Sequence, residues 1–218
     1  MIYIIADIHG RKDRFDDILN QIHLSTDDTL YILGDVIDRN VEGLDIIKYI
    51  MAQSNIKMIL GNHEYMMLNA LESPNKIGVW YRNGGDITHK RWKKQRITTR
   101  TKILDYLYGL PLLVELNVND KKIRLVHGKS PSEEELSCEN LESLKRDIVW
   151  GRVKVEDCGP ENITVIFGHT RTSHYTDCKP LRIWYGKNLI GMDCGAAYSD
   201  GRLACLRIDD MKEFYSSC

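Results

Sequence analysis

The stretch MILGNHEYMM, residues 58–67, joins two kinds of sequence at a single point. Its first four residues are typical of the end of a buried strand, and the chain becomes apolar and helical towards its end. An amide, an imidazole and a carboxylate lie between the two patterns, at Asn62, His63 and Glu64. A buried polar group without a partner costs free energy. We therefore expect these groups to share partners from elsewhere in the chain.

The same succession of strand and helix occurs along the first third of the chain. Short β-branched runs predict strands, and apolar residues at helical spacing predict the segments between them. We predict strands over residues 1–7, 29–35 and 56–62, and helices over 11–24, over 43–51 and from near His63 onward. This β-α-β-α-β-α order is typical of a mainly parallel sheet covered by helices.

The second half of the sequence has a different pattern. We predict a helix over 88–108, two strands within 112–128 around the Asn119-Asp120 turn, a strand over 163–170, a hairpin over 182–193 about Gly186-Lys187-Asn188, and a last strand over 203–209. No composition break, repeat or linker separates the two halves. We expect one domain over residues 1–218, with a parallel half and a more antiparallel half.

Composition and charge restrict the class of protein. The chain is 43% hydrophobic and 28% charged, a globular balance, and its formal net charge is −1. A net charge so close to zero does not attract nucleic acid or anionic membranes. No apolar run approaches the ~20 residues that span a bilayer, and there is no signal peptide. We expect a cytoplasmic protein with neither a nucleic-acid nor a membrane partner, and make no prediction of oligomeric state.

Two further features have plain interpretations. The six cysteines are widely spaced, so we expect reduced, mostly structural thiols rather than a zinc site or a disulfide framework; they are Cys138, Cys158, Cys178, Cys194, Cys205 and Cys218. The run THKRWKKQR, residues 88–96, is basic around Trp92. It is most simply a solvated helix face, and the alternative is a docking site for acidic peptides or nucleotides.

Polar residues capable of binding metal follow each early strand. The motifs are Asp7-Ile8-His9-Gly10, Gly34-Asp35 with Asp38-Arg39, and Gly61-Asn62-His63-Glu64, and later strands end in His127-Gly128 and Gly168-His169-Thr170. In open α/β sheets, ligands bind at the carboxyl ends of the strands. The five strand ends are therefore expected to converge on one crevice.

The donor set favours a pair of divalent metal ions. Carboxylate, imidazole and amide oxygen together suit Mn, Fe or Zn better than Ca, which prefers oxygen alone. Two ions about 3.5–4 Å apart can share one carboxylate and one hydroxide, an arrangement used to attack phosphate esters. Taken singly, Asp7 and Asp35 are more typical of helix N-caps after strands. His127 or His169 alone is more typical of a hydrogen-bonded histidine at a strand end. The shared pattern favours metal ligation.

These motifs, in this order and near 25-residue intervals, resemble those of the phosphoprotein phosphatase family of metallophosphoesterases. The short chain, with WYRNGGD at 80–86 and IVWGR at 148–152, resembles the phage-type and bacterial serine/threonine phosphatases of that family. GMDCGAAY at 191–198 resembles the closing strand of the family. The resemblance implies a four-layer α/β/β/α sandwich with mixed sheets.

The resemblance also implies roles for the metal-binding residues. Asp7 and His9 would hold the first ion, and Asp35 would bridge both. The second ion would be held by Asn62, His127 and His169. Manganese is the metal we expect, with iron or zinc as alternatives.

A second set of residues would handle the substrate. His63 would be the general acid, oriented by Asp38, because a serine alkoxide leaves poorly without a proton. Arg39, Arg152 and Asn62 would bind the phosphoryl group, since arginine forks match its anionic oxygens. A surface ion pair is the alternative for Asp38-Arg39, and a solvated side chain for Arg152.

The implied activity is that of a protein serine/threonine phosphatase. It would hydrolyse phosphomonoesters of a phosphorylated protein or peptide by direct attack of a hydroxide bridging the two ions, with phosphotyrosine activity as an extension. A symmetrical dinucleoside tetraphosphate hydrolase is the rival within the family. A metal-bound binding module without turnover is the rival of another class, and a nucleic-acid binder is disfavoured by the net charge.

Two positions depart from the pattern of the family. Asn40 follows Asp38-Arg39 where glycine is usual, and Ala6 precedes Asp7 where glycine is common. Asn tolerates left-handed backbone geometry better than most residues and also caps helices. We expect Asn40 to take one of these two roles.

Overall fold

The structure is a computed structural model that describes residues 1–138 and 140–217. Ten strands lie within these residues: β1 Ile2–Ile5, β2 Thr29–Ile32, β3 Ile56–Met58, β4 Leu113–Val118, β5 Lys121–Val126, β6 Ile163–Phe167, β7 Trp184–Gly186, β8 Leu189–Gly191, β9 Ala204–Arg207 and β10 Lys212–Tyr215. The α-helices of the same residues are α1 Lys12–Ile22, α2 Gly43–Met51, α3 Asn62–Glu72, α4 Ile77–Arg82, α5 Gly85–Lys93, α6 Ile97–Tyr108, α7 Glu133–Cys138 and α8 Leu141–Trp150. No helix in this part of the chain is long and apolar enough to cross a bilayer.

The strands form two five-stranded sheets, and both are mixed. The first sheet has the order β10-β9-β1-β2-β3. Strands β1, β2 and β3 are parallel to one another, β9 is antiparallel to β1, and β10 is antiparallel to β9. The second has the order β4-β5-β6-β8-β7, in which β5, β6 and β8 are parallel and both edge strands run antiparallel. This architecture confirms the predicted α/β fold class with mixed sheets.

Burial on both faces of the first sheet explains the continuous apolar strands. In β1, Tyr3 and Ile5 pack into a cluster with helices such as α1 and α2. Ile4 faces the other way, into a cluster that includes Leu125 and Ile166 of the second sheet. Side chains alternate across a strand, so a strand buried on both sides needs apolar residues at every position.

The predicted strands and helices of the first half are confirmed, with shorter strands. The region 88–108 is two helices, α5 and α6, rather than one. The segment 203–209 contains β9, but it is not the last strand, because β10 follows it. β9 pairs with β1, so a strand from the second half of the sequence completes the first sheet. Helices α4, α7 and α8 were not predicted.

Candidate metal centre

The backbone at the predicted site adopts an unusual conformation. Positive φ angles occur at Asp7 (54°), His9 (48°), Asp35 (54°), Asp38 (71°), Arg39 (67°) and His169 (61°). The left-handed region is unfavourable for residues with a Cβ atom. Such conformations persist only where the surrounding structure holds them, and they cluster at functional sites.

Asp35 lies at the centre of the site. Its Oδ2 atom is 3.7 Å from Nε2 of His9 and 3.8 Å from Nε2 of His63, and its Oδ1 atom is 3.4 Å from Nε2 of His127. Two groups of potential ligands therefore share this carboxylate: Asp35 with His9 and His63, and Asp35 with His127 and His169. Within each group the ligand atoms lie within 4.8 Å of one another. One residue common to two ligand groups is the geometry that a bridging ligand requires.

Asn62 joins the second group. Its Oδ1 atom is 2.8 Å from Nε2 of His127 and 2.9 Å from Nδ1 of His169. The carboxylate of Asp7 accepts the backbone N–H of His169 at 2.9 Å, so it lies beside the same group. A Cβ atom at Gly168 would come within 2.2 Å of Oδ2 of Asp7. The glycine thus leaves room for the carboxylate at the strand end.

Hydrogen bonds fix which nitrogen of two histidines faces the centre. Nδ1 of His9 is 3.0 Å from the carbonyl oxygen of Ile37, and Nδ1 of His127 is 2.6 Å from that of Leu33. A carbonyl oxygen only accepts, so both Nδ1 atoms carry protons and donate. In each neutral ring Nε2 is then the nitrogen available to a metal, which is how proteins commonly orient metal-ligating histidines.

The pKa values of the buried ionisable groups fit a site that binds a cation. Burial raises the pKa of Asp7 well above its usual value. Burial likewise lowers the pKa of His9 well below its usual value and that of His169 to about 3. For Asp35 and His127 burial opposes ionisation, but their mutual attraction outweighs it, lowering the pKa of the carboxyl and raising that of the imidazole to about 10. Neutral imidazoles and carboxylates are the forms that bind metal, and a divalent cation reverses the shifts of Asp7 and His127.

The donor set therefore fits a pair of divalent transition metals. It combines carboxylate, imidazole and amide oxygen in two groups around one shared carboxylate. Among the described residues, Nε2 of His169 is buried without a hydrogen-bond partner. The structure brings together all six of the residues that the sequence predicted as ligands: Asp7, His9, Asp35, Asn62, His127 and His169.

His63 and Asp38 form a buried pair beside this centre. Nδ1 of His63 donates to Oδ2 of Asp38 at 2.7 Å, and Nε1 of Trp80 donates to the same oxygen at 2.7 Å. The backbone N–H of Asp38 donates to Oγ1 of Thr88 at 3.0 Å. The imidazole Nε2 then faces Nη2 of Arg39 at 3.3 Å. Neither residue's role was predicted from sequence: Trp80 of α4 holds the carboxylate of Asp38, and Thr88 of α5 holds its backbone.

Glu64 holds the loop that carries the shared carboxylate. Its side chain is fully buried and accepts the backbone N–H groups of Asp35 and Val36 at 2.9 Å each and of Ile37 at 3.2 Å. Burial raises the pKa of Glu64 to about 7. The sequence indicated only that this residue begins a helix. The third polar group of the opening stretch is thus satisfied by the backbone of the neighbouring loop.

Three other predicted residues lie at the edge of the site. Arg39 donates from Nη1 to the hydroxyl of Tyr198 at 3.2 Å. Arg152 is exposed, two residues beyond Trp150, whose ring packs edge-on against His169 with centroids 6.1 Å apart. Asn40 does not adopt the left-handed conformation, which falls on Arg39 instead, and it caps no helix. Its side chain donates to the carbonyl oxygen of His9 at 2.9 Å, so neither predicted role of Asn40 is correct.

Comparison with known families identifies the class of protein. Residues 1–191 match the family described as calcineurin-like phosphoesterase. The chain belongs to this family, whose members use a dinuclear metal centre, and it is a phosphoesterase.

Individual relatives agree with the family. The serine/threonine-protein phosphatase 2 of Salmonella typhimurium is 29% identical over 184 residues, which are 80% of this chain and 82% of the relative. A symmetrical bis(5'-nucleosyl)-tetraphosphatase of Salmonella paratyphi B is 35% identical over only 68 residues, 30% of this chain and 24% of the relative. A crystal structure provisionally assigned as a diadenosine tetraphosphatase superposes with a TM-score of 0.66 at 18% identity, covering 98% of this chain and 91% of the other. At that identity the superposition shows a shared fold.

Proposed function

We propose that this protein is a metal-dependent protein serine/threonine phosphatase that hydrolyses phosphomonoesters of phosphorylated proteins or peptides. One observation carries the proposal. A buried imidazole, His63, is held by Asp38 at 2.7 Å beside two ligand groups that share Asp35. This arrangement places a proton donor next to a candidate metal pair, which a metal-binding module without turnover has no need of.

The metal-binding roles are those that the family resemblance implies, and the two ligand groups that share Asp35 support them. Asp7 and His9 would hold one ion, Asn62, His127 and His169 the other, and Asp35 both. A bound pair of divalent cations would supply a water molecule of lowered pKa as the nucleophile and positive charge for the phosphoryl oxygens. The mixed oxygen and nitrogen donors favour manganese, with iron or zinc as alternatives.

The remaining roles belong to side chains of this protein. His63 gives the proton on Nε2 to the oxygen that leaves phosphorus, and Asp38 stabilises the charged imidazole. Arg39 binds the phosphoryl oxygens from beside His63, which is 3.3 Å away. Asn62 and Arg152 complete the phosphate contacts, Arg152 from the exposed segment after α8. The phosphorus–oxygen bond of the ester breaks, and the products are a free hydroxyl group and phosphate.

The relatives support a phosphoprotein substrate. The match to the Salmonella typhimurium protein phosphatase extends over 80% of this chain, whereas the match to the tetraphosphatase covers 30%. The short tetraphosphatase match nevertheless makes a symmetrical dinucleoside tetraphosphate hydrolase the second candidate. Both would use the same centre and differ in what surrounds the phosphate.

One assay separates the candidates. The purified protein is depleted of metal with a chelator and reloaded with Mn, Fe, Zn or Ca, and turnover of a phosphoserine peptide is compared with that of diadenosine tetraphosphate. We expect Mn to restore peptide hydrolysis and Ca not to. Asp38→Asn should reduce turnover, and Asp86→Asn serves as its matched control, at a partly exposed aspartate of α5 that pairs with Lys90. A kcat/KM more than tenfold higher for the tetraphosphate would assign the protein to the second candidate.

A further inference from the structure

Helices α4 to α6 carry a strongly basic segment next to the candidate centre. Residues 82–102 contain eight Lys or Arg residues and one Asp, whereas the whole chain has a net charge of −1. Two of the cations are neutralised by neighbours: Lys90 pairs with Asp86 at 2.9 Å, and Arg91 pairs with Asp45 at 2.5 Å. Within the described residues, Lys93, Lys94, Arg96 and Lys102 form no ion pair. A local field of this size attracts an anionic partner.

Arg100 joins the end of α5 to the start of α6. Its guanidinium donates to the backbone carbonyl oxygens of Lys93 and Gln95 and lies over the ring of Trp92, 5.8 Å from the centroid. The cations at the end of α5 and at the start of α6 therefore share one surface. We call the face formed by Lys93, Lys94, Arg96 and Arg100 the basic surface.

The helix dipole does not account for this surface. Cations in the last turn of α5 are favourable, because the end of a helix carries partial negative charge. At the beginning of α6 the sign is opposite, yet Arg96 occupies the N-cap position, Arg100 lies in the first turn and no acidic residue is present there. Ile97 lies between them and is 76% exposed, the highest fraction for any large hydrophobic residue in the described part of the chain. Arg100 makes compensating contacts with the end of α5, but Arg96 and the exposed Ile97 break local stability rules, and such positions point to a function.

The helix that leads to the basic surface, α5, is hydrogen-bonded near its start to the loop that carries Asp38 and Arg39. Thr88 of α5 accepts the backbone N–H of Asp38 at 3.0 Å, and the carbonyl oxygen of Gly84, just before α5, accepts that of Arg39 at 3.2 Å. At ~1.5 Å per residue, Lys93 lies about 7.5 Å along the helix axis from Thr88. An extended peptide advances ~3.3 Å per residue. Asp38 separates Thr88 from His63, so the basic surface lies further than this axial distance from a phosphate at His63. A span of three to six extended residues, about 10–20 Å, covers the distance.

We propose that the basic surface is a docking site for acidic residues of the phosphoprotein substrate, about three to six positions from the phosphorylated residue. This inference rests on the proposed phosphatase function and names the substrate class of the same site. The cations supply the charge, and Ile97 supplies an apolar contact between them. Exposed charge pairs contribute little singly, but three together give a roughly threefold to thirtyfold preference for acidic peptides at low salt.

The test compares pairs of phosphoserine peptides that differ only at positions three to six, either before or after the phosphoserine. One peptide of each pair has three glutamates in that segment, and the other has three serines. We expect a higher kcat/KM for an acidic peptide, lost in the triple variant Lys93→Glu, Lys94→Glu, Arg96→Glu. The control variant Lys121→Glu, Lys122→Glu, Lys187→Glu makes the same charge change at exposed positions far from α5 and should keep the preference. Turnover of p-nitrophenyl phosphate, which lacks flanking residues, should be equal in all three proteins and shows that each is folded.

A binding measurement keeps the inference testable without turnover. Fluorescence anisotropy of a labelled acidic peptide without phosphate should show binding to wild type at low salt and none to the Lys93, Lys94, Arg96 triple variant. Equal kcat/KM for acidic and neutral peptides, with no such binding, would overturn the docking site while leaving the phosphatase function intact. If no phosphopeptide is hydrolysed but the acidic peptide still binds, the proposed function alone would be overturned. If a single-stranded RNA of equal charge binds more tightly than the peptide, and the triple variant loses this binding, the surface would be assigned to nucleic acid.

Discussion

The hydroxyl of Tyr198 accepts a hydrogen bond from Nη1 of Arg39 at 3.2 Å. The same ring is near two guanidinium groups, with Cζ of Arg39 5.5 Å and Cζ of Arg171 4.2 Å from its centroid. Arg171 is itself held by Asp200 at 3.1 Å. An arginine fixed on one side by an aromatic ring is ordered before the substrate arrives, which reduces the entropy lost on binding.

Tyr198→Phe should therefore weaken phosphate binding without abolishing turnover. Removing the hydroxyl leaves Arg39 one hydrogen bond short but keeps the stacked ring. Since the contact is partly exposed, we expect a roughly twofold to tenfold rise in the inhibition constant of inorganic phosphate. Arg39→Ala should have a larger effect on both inhibition and turnover. An unchanged inhibition constant in both variants would return Arg39 to the role of a surface residue.

His63→Asn should affect substrates according to their leaving groups. An alkoxide leaving from phosphoserine needs a proton, whereas nitrophenolate is stable without one. General acid catalysis contributes typically ~10²–10⁴-fold, so we expect a loss in that range for the phosphoserine peptide and a clearly smaller loss for p-nitrophenyl phosphate. The comparison is made on kcat where chemistry limits the rate.

Metal content is the control for His63→Asn. His63 belongs to one of the two ligand groups by distance, although Asp38 binds its Nδ1 atom. If it is the acid, the variant keeps both ions, as measured by elemental analysis. Loss of one ion would show that His63 is a ligand.

The site residues were predictable from sequence where they lie at strand ends. Asp7, Asp35 and Asn62 lie two to four residues beyond the ends of β1, β2 and β3, and parallel strands bring their carboxyl ends together. The residues that hold them were not predictable in this way. Trp80 is 42 positions from Asp38 along the chain, and nothing in its local sequence indicates that the indole N–H meets a carboxylate.

The helices and strands that were not predicted differ in the strength of their sequence signals. Helix α8 carries a signal, since the side chain of Asn140 accepts the backbone N–H of Ser143 at 2.9 Å and apolar residues follow at helical spacing. Strand β10 carries little, because it is four residues long and only half-buried at the edge of the sheet. A strand buried on both faces has a continuous apolar sequence that predicts it, whereas a half-buried edge strand does not.

Asp35→Asn should reduce metal content more than Asp7→Asn. Asp35 lies within 3.4–3.8 Å of histidines from both ligand groups, so loss of its charge weakens both ions, whereas Asp7 lies beside one group. We expect fewer ions per chain and lower turnover in Asp35→Asn, measured by elemental analysis and with the phosphoserine peptide. Two retained ions and wild-type turnover in Asp35→Asn would contradict the bridging role.

The buried cysteines should resist alkylation. Burial raises the pKa of the thiols of Cys194 and Cys205 to about 12 in each case, so the reactive thiolate is scarce at pH 8. Cys158 and Cys178 are exposed and should react with iodoacetamide in the native protein. Peptide mapping after a short labelling time should find the exposed pair modified and the buried pair free. Labelling of the buried pair only after denaturation is the control.

Glu64→Gln should destabilise the fold even though it conserves the shape of the side chain. Glu64 uses both carboxylate oxygens to accept the three N–H groups of the loop from Asp35 to Ile37. An amide has one acceptor oxygen, and its NH₂ group would face backbone donors. A buried donor left without a partner costs about 1–3 kcal/mol, and we expect a loss of that size in the free energy of unfolding by urea at pH 7. Glu72→Gln is the matched control on the same helix. Its exposed carboxylate accepts the hydroxyl of Tyr108, so this substitution should change stability little. Because the loop carries Asp35, the Glu64 variant should also bind Mn more weakly, whereas equal stability in the two variants would show that the loop is held by other contacts.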